Sequence, residues 1–373
     1  MNISDLRILF VQRVITTYRF DLLKEFCAFY KSVGIISSKG TKAGTLKIAS
    51  KLDSQVNRKN LSVHILPSIK LNYKGESRST SIFIYPKAIK FISNYDIIVF
   101  EGTTNIINNS FLIPYAKSQR KKLIFWDAGY SLNKRSIKRK IIDGINFPFI
   151  RLTDLQMAYS TLANNYMKRN MGAKNVFVNL NTINTRYFEK IETEITESVH
   201  TYSFNKSHIE LLYVGVIEKR KKIQELIDII LLLNKKEKRF SINIIGSGNQ
   251  LSALKEYTKS NNEISFLGPI YDKEKLKSYY FKSDLFILPG DGGLAIVQSH
   301  LFGLPVVCIK GADGTELDYI TYKPFLLDKL NDLYQLLNNL KSIERSKIYK
   351  DLPNISSKKW IQMFNDKVRE LYK

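Results

Sequence analysis

Short apolar runs alternate with amphipathic segments along most of the chain. In the first half, β-branched and aromatic runs predict strands over 7–12, 33–37, 63–66, 96–101, 122–126 and 176–179. Amphipathic stretches predict helices over 18–30, 109–119 and 157–170. Strands that alternate with helices are typical of a parallel sheet with helices on both faces. The first half is therefore predicted to be a doubly wound α/β domain.

The same alternation returns after residue 208. Strands are predicted over 209–214, 241–245, 264–267, 285–288 and 305–309, with helices over 223–234, 251–259 and 273–281. The predicted fold is two tandem Rossmann-like α/β domains. Its boundaries are an N-terminal domain over 1–190, a linker over 191–208, a C-terminal domain over 209–354 and a final helix over 355–373 that packs back toward the N-terminal domain. Ligands of such sheets bind at the carboxyl ends of the strands, so the cleft between the domains is the expected working site.

Length and charge support this division. A chain of 373 residues exceeds one ordinary core, which favours two domains. The net charge is +24, of which +20 belongs to residues 1–190 and +4 to residues 191–373. A basic half suits nucleic acid, an anionic membrane surface or a phosphorylated acceptor, and a merely solvated basic surface is the alternative.

Other features bear on the cellular location. Cys27 and Cys308 stand in apolar runs, which predicts buried free thiols and a reducing compartment. The N-terminal MNISDLRILFVQ is interpreted as a first strand rather than a signal peptide. The apolar run 226–234 is far shorter than the roughly 20 residues that span a bilayer. We therefore expect a cytoplasmic protein, either soluble or peripheral on the inner face of the plasma membrane.

One glycine-rich stretch, PGDGGLAIVQSHLFGLPVV over 289–307, suggests a ligand site. Gly292 and Gly293 precede an apolar helix pattern that begins at Leu294, and Gly303 with Pro305 ends it. The first turn of a helix exposes unpaired N–H groups, and glycines let a phosphate approach them closely. A tight packing site is the alternative interpretation.

Five ordered landmarks accompany that stretch: LLYVGVIEKRKKIQELI at 211–227, INIIGSGNQ at 242–250, ISFLGPI at 264–270, SDLFILPG at 283–290 and GGLAIVQSHLFGLPVV at 292–307. Together they resemble the nucleotide-sugar domain of retaining GT-B glycosyltransferases of family 4. The resemblance implies a GT-B fold and transfer of a sugar, with retention, from a nucleotide-diphosphate donor. A UDP-sugar is favoured and a GDP-sugar is the alternative. No other cofactor and no metal are implied, and the four histidines do not show metal-ligand spacing.

The resemblance assigns donor contacts to the glycine-rich stretch. The two glutamate positions of the family motif fall on Gly290 and Gln298, so both acids are absent. Gln298 retains hydrogen-bonding capacity for a ribose diol. The remaining donor contacts are then expected from Asp291 and from the backbone N–H groups of Gly292, Gly293, Leu294 and Ala295.

Basic side chains after the first strand of the second domain are expected to neutralise the diphosphate. Counting from Gly215, the arginine position of the family holds Val216, whereas the lysine position holds Lys221. Lys221 is therefore a donor-binding and catalytic candidate, and Arg220 or Lys219 is the candidate substitute for the absent arginine. A solvated basic loop is the alternative. Gly246 is expected to turn the chain beside the base or to serve a tight turn alone.

In the N-terminal half, the predicted residues concern the acceptor. Ala128 occupies the position where related enzymes carry a histidine, which leaves Asp127 as the catalytic candidate and a turn-capping role as its alternative. Basic residues mixed with apolar ones suggest contact with an acceptor or membrane: Arg13, Arg19, Lys134, Arg135, Lys138 and Arg139. We expect a surface glycan of O-antigen or capsule type as acceptor, carried on a lipid diphosphate.

Three other functions compete with this prediction. A nucleotide-sugar epimerase shares the architecture, but it needs acids and a histidine where Gly290, Gln298 and Ala128 stand. A nucleic-acid binder would explain the basic half, but the chain lacks a recognisable recognition helix, zinc finger or stacking platform, so no nucleic acid is expected. A non-catalytic relative would explain the missing acids.

Overall fold

The computed structural model describes residues 2–38, 59–67, 69–71, 82–102, 108–128, 137–200, 204, 207–237, 239–290, 292–310, 316–340 and 355–373. The chain divides into two compact units. The first unit is Met1–Asn184 with Ser356–Lys373, and the second unit is Thr185–Ile355.

The first unit is built on a parallel sheet in the order β3-β2-β1-β6-β7-β8-β9. Its strands are β1 (Arg7–Gln12), β2 (Ser32–Ser38), β3 (Leu61–Leu66), β6 (Ile97–Glu101), β7 (Lys122–Asp127), β8 (Leu155–Ala158) and β9 (Val176–Val178), and a separate antiparallel pair is formed by β4 (Ile69–Leu71) and β5 (Ile82–Ile84). In the register of the sheet, Leu9 of β1 lies beside Gly34 of β2 and Ile98 of β6.

Helices join these strands as the pattern predicts for a parallel sheet. They are α1 (Thr17–Leu23), α2 (Ile89–Ile92), α3 (Asn109–Ser118), α4 (Ile137–Ile150) and α5 (Thr161–Tyr166). A 3₁₀ segment, Lys24–Ala28, follows α1, and a π-helical segment, Met167–Met171, follows α5. The left-handed backbone of Gly172 (φ 65°) ends the latter.

The second unit repeats the parallel arrangement in the order β12-β11-β10-β13-β14-β15. Its strands are β10 (Ile209–Val214), β11 (Phe240–Ile245), β12 (Ile264–Gly268), β13 (Leu285–Leu288), β14 (Val306–Ile309) and β15 (Leu326–Leu327). Its helices are α6 (Arg186–Lys190), α7 (Glu192–His200), α8 (Ile223–Asn234), α9 (Leu251–Tyr257), α10 (Lys273–Lys282), α11 (Ala295–Leu301) and α12 (Asp332–Asn338). The predicted fold class of two doubly wound α/β domains is thus confirmed.

The C-terminal helix α13 (Ser357–Glu370) completes the first unit. Its apolar residues Trp360 and Phe364 are buried in one core of that unit together with Phe10, Phe26 and Trp126. The other core contains Leu9, Val11 and Phe125 among its members. Because neighbouring side chains of a strand point to opposite faces, β1 contributes Phe10 to one core and Leu9 and Val11 to the other.

Two predicted elements differ from the structure. The segment 157–170 was predicted as one helix, but Leu155–Ala158 is strand β8, paired with β7 and β9. A short apolar run buried in a sheet has no periodicity that separates it from a helix. The expected linker 191–208 contains α7, which belongs to the second unit. An ion pair of 2.8 Å between Glu194 and Lys277 of α10 ties α7 to that unit.

In each parallel sheet, an aspartate at the amino end of one strand forms hydrogen bonds with the neighbouring strand. Asp96, just before β6, accepts the Arg7 backbone N–H at 2.9 Å and returns its own N–H to the Arg7 carbonyl at 2.9 Å. Asp284, just before β13, forms the same exchange with Glu210, at 2.8 and 2.6 Å. In both sheets this exchange joins the first strand of the unit to the strand at the reversal of strand order.

Candidate functional site

The candidate donor site lies at the carboxyl end of the second sheet, in the loops that follow β10, β11 and β13. β10 is flanked by β11 on one side and by β13 on the other, so the strand order reverses there. Ligands of open parallel sheets bind outside the carboxyl ends at such a reversal. Gly215, Gly246 and Gly290 each follow one of these three strands by one or two residues.

Glycines allow the first two loops to touch through their backbones. A Cβ added at Gly246 would stand 1.8 Å from the Gly215 carbonyl oxygen, and one at Gly248 would stand 2.1 Å from the Ile217 carbonyl oxygen. Gly246 also has a φ of +149°, which side chains rarely adopt. Ile217 N–H donates to the Ser247 carbonyl at 2.9 Å. These glycines are therefore required by packing alone, whichever ligand the loops contact.

Gly290 has an equally strict reason to be a glycine. Its added Cβ would lie 2.3 Å from the Arg220 carbonyl oxygen and 2.7 Å from the Lys221 Cα. The backbone of the basic loop thus occupies the space that a side chain at this position would need. The absence of an acid at residue 290 is therefore built into the loop packing.

Lys221 brings its charge to the glycine-rich stretch. The residue is only 8% exposed, and its Nζ donates to the Gly292 carbonyl oxygen at 3.1 Å. The nearby Arg220 is exposed, and its Nε donates to Glu218 Oε2 at 2.9 Å. Part of the charge of Arg220 is thus directed to a carboxylate, whereas Lys221 is held at the loop that precedes α11.

The segment before α11 is arranged around Gly293. Gly293 has a φ of +145°, and among the described residues no heavy atom lies within 4 Å of where its Cβ would stand. Ile296 N–H donates to the Gly293 carbonyl at 3.0 Å, and Gln298 N–H to the Leu294 carbonyl at 2.9 Å. The helix itself begins at Ala295, after Leu294 as its N-cap. Gln298 is partly exposed, and Asp291 lies outside the described residues.

One residue near this edge, Glu316, is not predicted from the sequence. Glu316 is buried, and its charge and that of Lys221 both act on the Cys308 thiol, whose pKa is raised chiefly by burial. A glycine-rich loop after a predicted strand was the available signal for Glu316.

The predicted acceptor residues belong to the first unit. Asp127 ends β7 and is buried, with its Cβ in the space where a side chain of Gly102 would stand. The Arg13 backbone N–H donates to Glu101 Oε2 at 2.5 Å, and Arg19 is buried among aromatic rings. Lys134 and Arg135 lie outside the described residues. Lys138 and Arg139 lie in α4, where the structure describes their backbone only.

Within the described part of the chain, no group of three or more His, Cys, Asp or Glu side chains is arranged to hold a metal ion.

Comparison with known families bears on the second unit. Residues 195–322 match the family model described as glycosyl transferases group 1. The matched residues all lie in the second unit. The match spans β10 to β14 and so includes every loop of the candidate donor site. No curated protein sequence matches the chain.

Solved structures resemble the whole chain. HepE of Anabaena, solved in complex with UDP, aligns with a TM-score of 0.67 at 12% identity over 98% of this chain and 100% of that one. The lipopolysaccharide outer core galactosyltransferase WaaB aligns at 0.66, with 14% identity over 98% and 99%. UDP-GlcNAc 2-epimerase of Methanocaldococcus jannaschii aligns at 0.56, with 14% identity over 97% and 99%. At these identities the likeness shows the fold, which is GT-B.

Proposed function

We propose that this protein is a glycosyltransferase that moves a sugar from a nucleotide-diphosphate donor to a growing surface glycan with retention of configuration. The observation that carries the proposal is the buried Lys221, whose ammonium is fixed at Gly292 inside the glycosyl transferases group 1 domain. UDP is the favoured nucleotide, because HepE and TarM of Staphylococcus aureus were solved with UDP bound.

The mechanism follows from where charge develops. Transfer breaks the bond between the sugar and the diphosphate, and negative charge grows on the departing group while the sugar becomes cationic. A fixed ammonium aimed at that group stabilises the transition state more than the ground state. Gly293 leaves open space at the same loop, so a phosphate can approach the backbone before α11. We assign Lys221 as the residue that stabilises the leaving group.

Ligand-dependent thermal unfolding tests the donor assignment. UDP, UDP-glucose, UDP-N-acetylglucosamine and a GDP-sugar are each added to the wild-type protein and to Lys221→Ala. A ligand at 100 times its Kd stabilises the fold by about 2.7 kcal/mol. We expect at least a tenfold loss of affinity in Lys221→Ala and less than a twofold change in the control Lys255→Ala, at an exposed lysine of α9. Failure of the whole panel to bind the wild-type protein would overturn the proposal.

The epimerase of the same fold is the rival activity. Incubating a UDP-sugar with the protein in the absence of acceptor separates the epimerase from the transferase activity. A 2-epimerase inverts the configuration at C2 of the sugar and needs no acceptor. With an acceptor present, NMR of the product decides between retention and inversion at the anomeric carbon. We expect no 2-epimer without acceptor and a retained configuration with it.

Helix α4 has a surface suited to contact with a membrane. Ile141 and Ile145 lie one turn apart and are 58% and 59% exposed, beside an exposed Lys140. On the same helix the polar residues Asp143 and Asn146 are buried. An exposed apolar face among basic residues suits the interface of an anionic bilayer. No described helix has the length and apolar character needed to cross a membrane.

We therefore propose that α4 docks at the cytoplasmic leaflet, where a lipid-diphosphate acceptor would be presented. The double variant Ile141→Asn/Ile145→Asn is expected to lower binding to anionic liposomes at least fivefold in a flotation assay. Neutralising the basic residues of 134–140 should lower it further at low salt. Leu232→Asn, at an exposed leucine of α8, is the matched control. Unchanged binding in both α4 variants would exclude this surface.

A further inference from the structure

Arg19 of α1 is a buried cation. The residue is 6% exposed, and its Nη2 donates to Tyr159 Oη at 2.9 Å and, more weakly, to Asn181 Oδ1 at 3.4 Å. Both of these acceptors are uncharged. The other amino group, Nη1, is buried and has no hydrogen-bond partner among the described residues.

Aromatic rings hold the guanidinium in place. Its central carbon lies 3.9 Å from the centre of the Trp126 ring, 5.4 Å from that of Tyr159 and 5.5 Å from that of Tyr18. Stacking on these rings fixes the plane of the guanidinium and offsets part of the cost of its burial. It does not satisfy the N–H donors in that plane, which need oxygen acceptors.

The position of Arg19 is one where ligands bind. Trp126 is near the carboxyl end of β7, Tyr159 directly follows β8, and Asn181 follows β9. The side chain therefore lies over the carboxyl ends of neighbouring parallel strands, the edge at which open sheets bind ligands. Tyr159 and Tyr18 are partly exposed, which places Arg19 just beneath the surface.

Further unsatisfied donors occur at the same end of the sheet. Trp126 Nε1, Gln12 Nε2 and Thr16 Oγ1 are buried and lack a partner among the described residues. Gln12 is the last residue of β1, and Thr16 caps α1. Buried donors left without partners each destabilise a fold by about 1–3 kcal/mol. Their occurrence with a guanidinium donor at one edge indicates an oxygen-rich, negatively charged ligand.

We infer that Arg19 binds an oxyanion, a phosphate or a carboxylate, carried by the acceptor sugar. That the anion belongs to an acceptor sugar rests on the proposed glycosyltransferase function. The existence of an anion site at Arg19 does not depend on it. Arginine matches both groups because its planar fork donates two parallel hydrogen bonds to two oxygens. The specificity of the enzyme would then favour acidic or phosphorylated glycans over neutral ones.

Tryptophan fluorescence gives a direct readout, since the chain has only Trp126 and Trp360. The Trp360→Phe background leaves Trp126 as the sole reporter under the guanidinium. Glucose 1-phosphate and glucuronate are titrated separately at constant ionic strength, with UDP present at saturation to occupy the donor site. Glucose is the neutral control. The two anionic probes distinguish a phosphate source from a carboxylate source.

We expect one anionic probe to change Trp126 emission and to raise the unfolding temperature, while glucose does neither. Arg19→Gln should lower the affinity for that probe at least tenfold. Arg19→Lys should retain part of the affinity, because a positive charge stays over Trp126. Arg169→Gln, at an exposed arginine of the same unit, is the matched control and should stay within twofold.

The outcomes separate this inference from the proposed function. If UDP binds all variants alike but neither anionic probe binds the wild-type protein better than Arg19→Gln, Arg19 is only a structural residue and the inference is wrong. If UDP fails to bind any of them, the donor proposal fails, and the probe titrations without UDP still test the anion site. Should Arg19→Gln not fold, the comparison of wild type with Arg19→Lys decides.

Discussion

The two sheets are alike at their amino ends and different at their carboxyl ends. At the amino ends, Asp96 and Asp284 make the same two-way hydrogen-bond exchange with the first strand of their units. At the carboxyl ends, the second unit brings backbones into contact through Gly246, Gly248 and Gly290, whereas the first unit gathers large polar and aromatic side chains around Arg19. The amino ends repeat one hydrogen-bond exchange, whereas the carboxyl ends, the edge at which open parallel sheets bind ligands, are built differently.

This difference matches two kinds of recognition. A nucleotide diphosphate suits an edge made of backbone and one ammonium group, because phosphates accept hydrogen bonds from N–H groups. Under the proposed function, an edge of side chains such as Arg19 and Asp127 would distinguish among acceptor glycans, which are chemically diverse.

The largest effect is expected where backbones touch. Gly246→Ala would place a Cβ against the Gly215 carbonyl in a left-handed backbone conformation, and we expect it to destabilise the protein by roughly 3 kcal/mol. Gly144→Ala is the control, since Gly144 is an exposed residue of α4 and no heavy atom of the described residues lies within 4 Å of where its Cβ would stand. It should stabilise the protein by roughly 0.5–1 kcal/mol. Denaturant unfolding measures both. A loss of unfolding free energy below about 1 kcal/mol in Gly246→Ala would contradict the close backbone contact between the loops that follow β10 and β11.

A smaller effect is expected at the amino ends. Asp284 is fully buried, and Asp284→Ala leaves the Glu210 N–H without its acceptor, which should destabilise by about 2–3 kcal/mol. Asp96 is partly exposed, so Asp96→Ala should cost about 1 kcal/mol, because water can replace the carboxylate. Chemical denaturation measures the loss of unfolding free energy in each variant. Equal losses in Asp284→Ala and Asp96→Ala would contradict the expectation that the buried exchange contributes more to stability.

The smallest effect concerns pH. Burial alone would raise the pKa of Asp96, but its hydrogen bonds to Arg7 and the charge of Arg7 outweigh burial and lower that pKa. The carboxylate therefore stabilises the fold above its unfolded pKa of about 3.9, and this contribution is lost as pH falls through the lower folded value. A double-mutant cycle with Arg7→Gln and Asp96→Asn should give a coupling of up to about 1 kcal/mol at pH 6 that decreases as the pH falls through the folded-state pKa of Asp96. A coupling that does not change with pH would exclude the ion pair as its source.

Periodicity in the sequence determined most of the fold. Strands β1, β10 and β13 begin and end where the pattern predicts, because each is a short run with β-branched or aromatic residues, too short for a typical helix. The ordered landmarks of the second half predicted the domain that the family model matches. Local pattern failed at β8, whose four residues form a strand only because β7 and β9 flank them.

Tertiary structure alone decided which polar residues act together. The sequence marks Lys221 and Gly292 as separate features, and the folded chain joins them at 3.1 Å. The sequence does not indicate that the Arg220 carbonyl occupies the space a side chain at Gly290 would need. Nor does it indicate that the Arg19 guanidinium stacks on Trp126. Periodicity indicates which residues are buried, because apolar residues that recur with the period of a helix or a strand mark the face that packs on the core. The identity of its partners depends on chain segments tens to hundreds of residues away, which only the folded structure brings into contact.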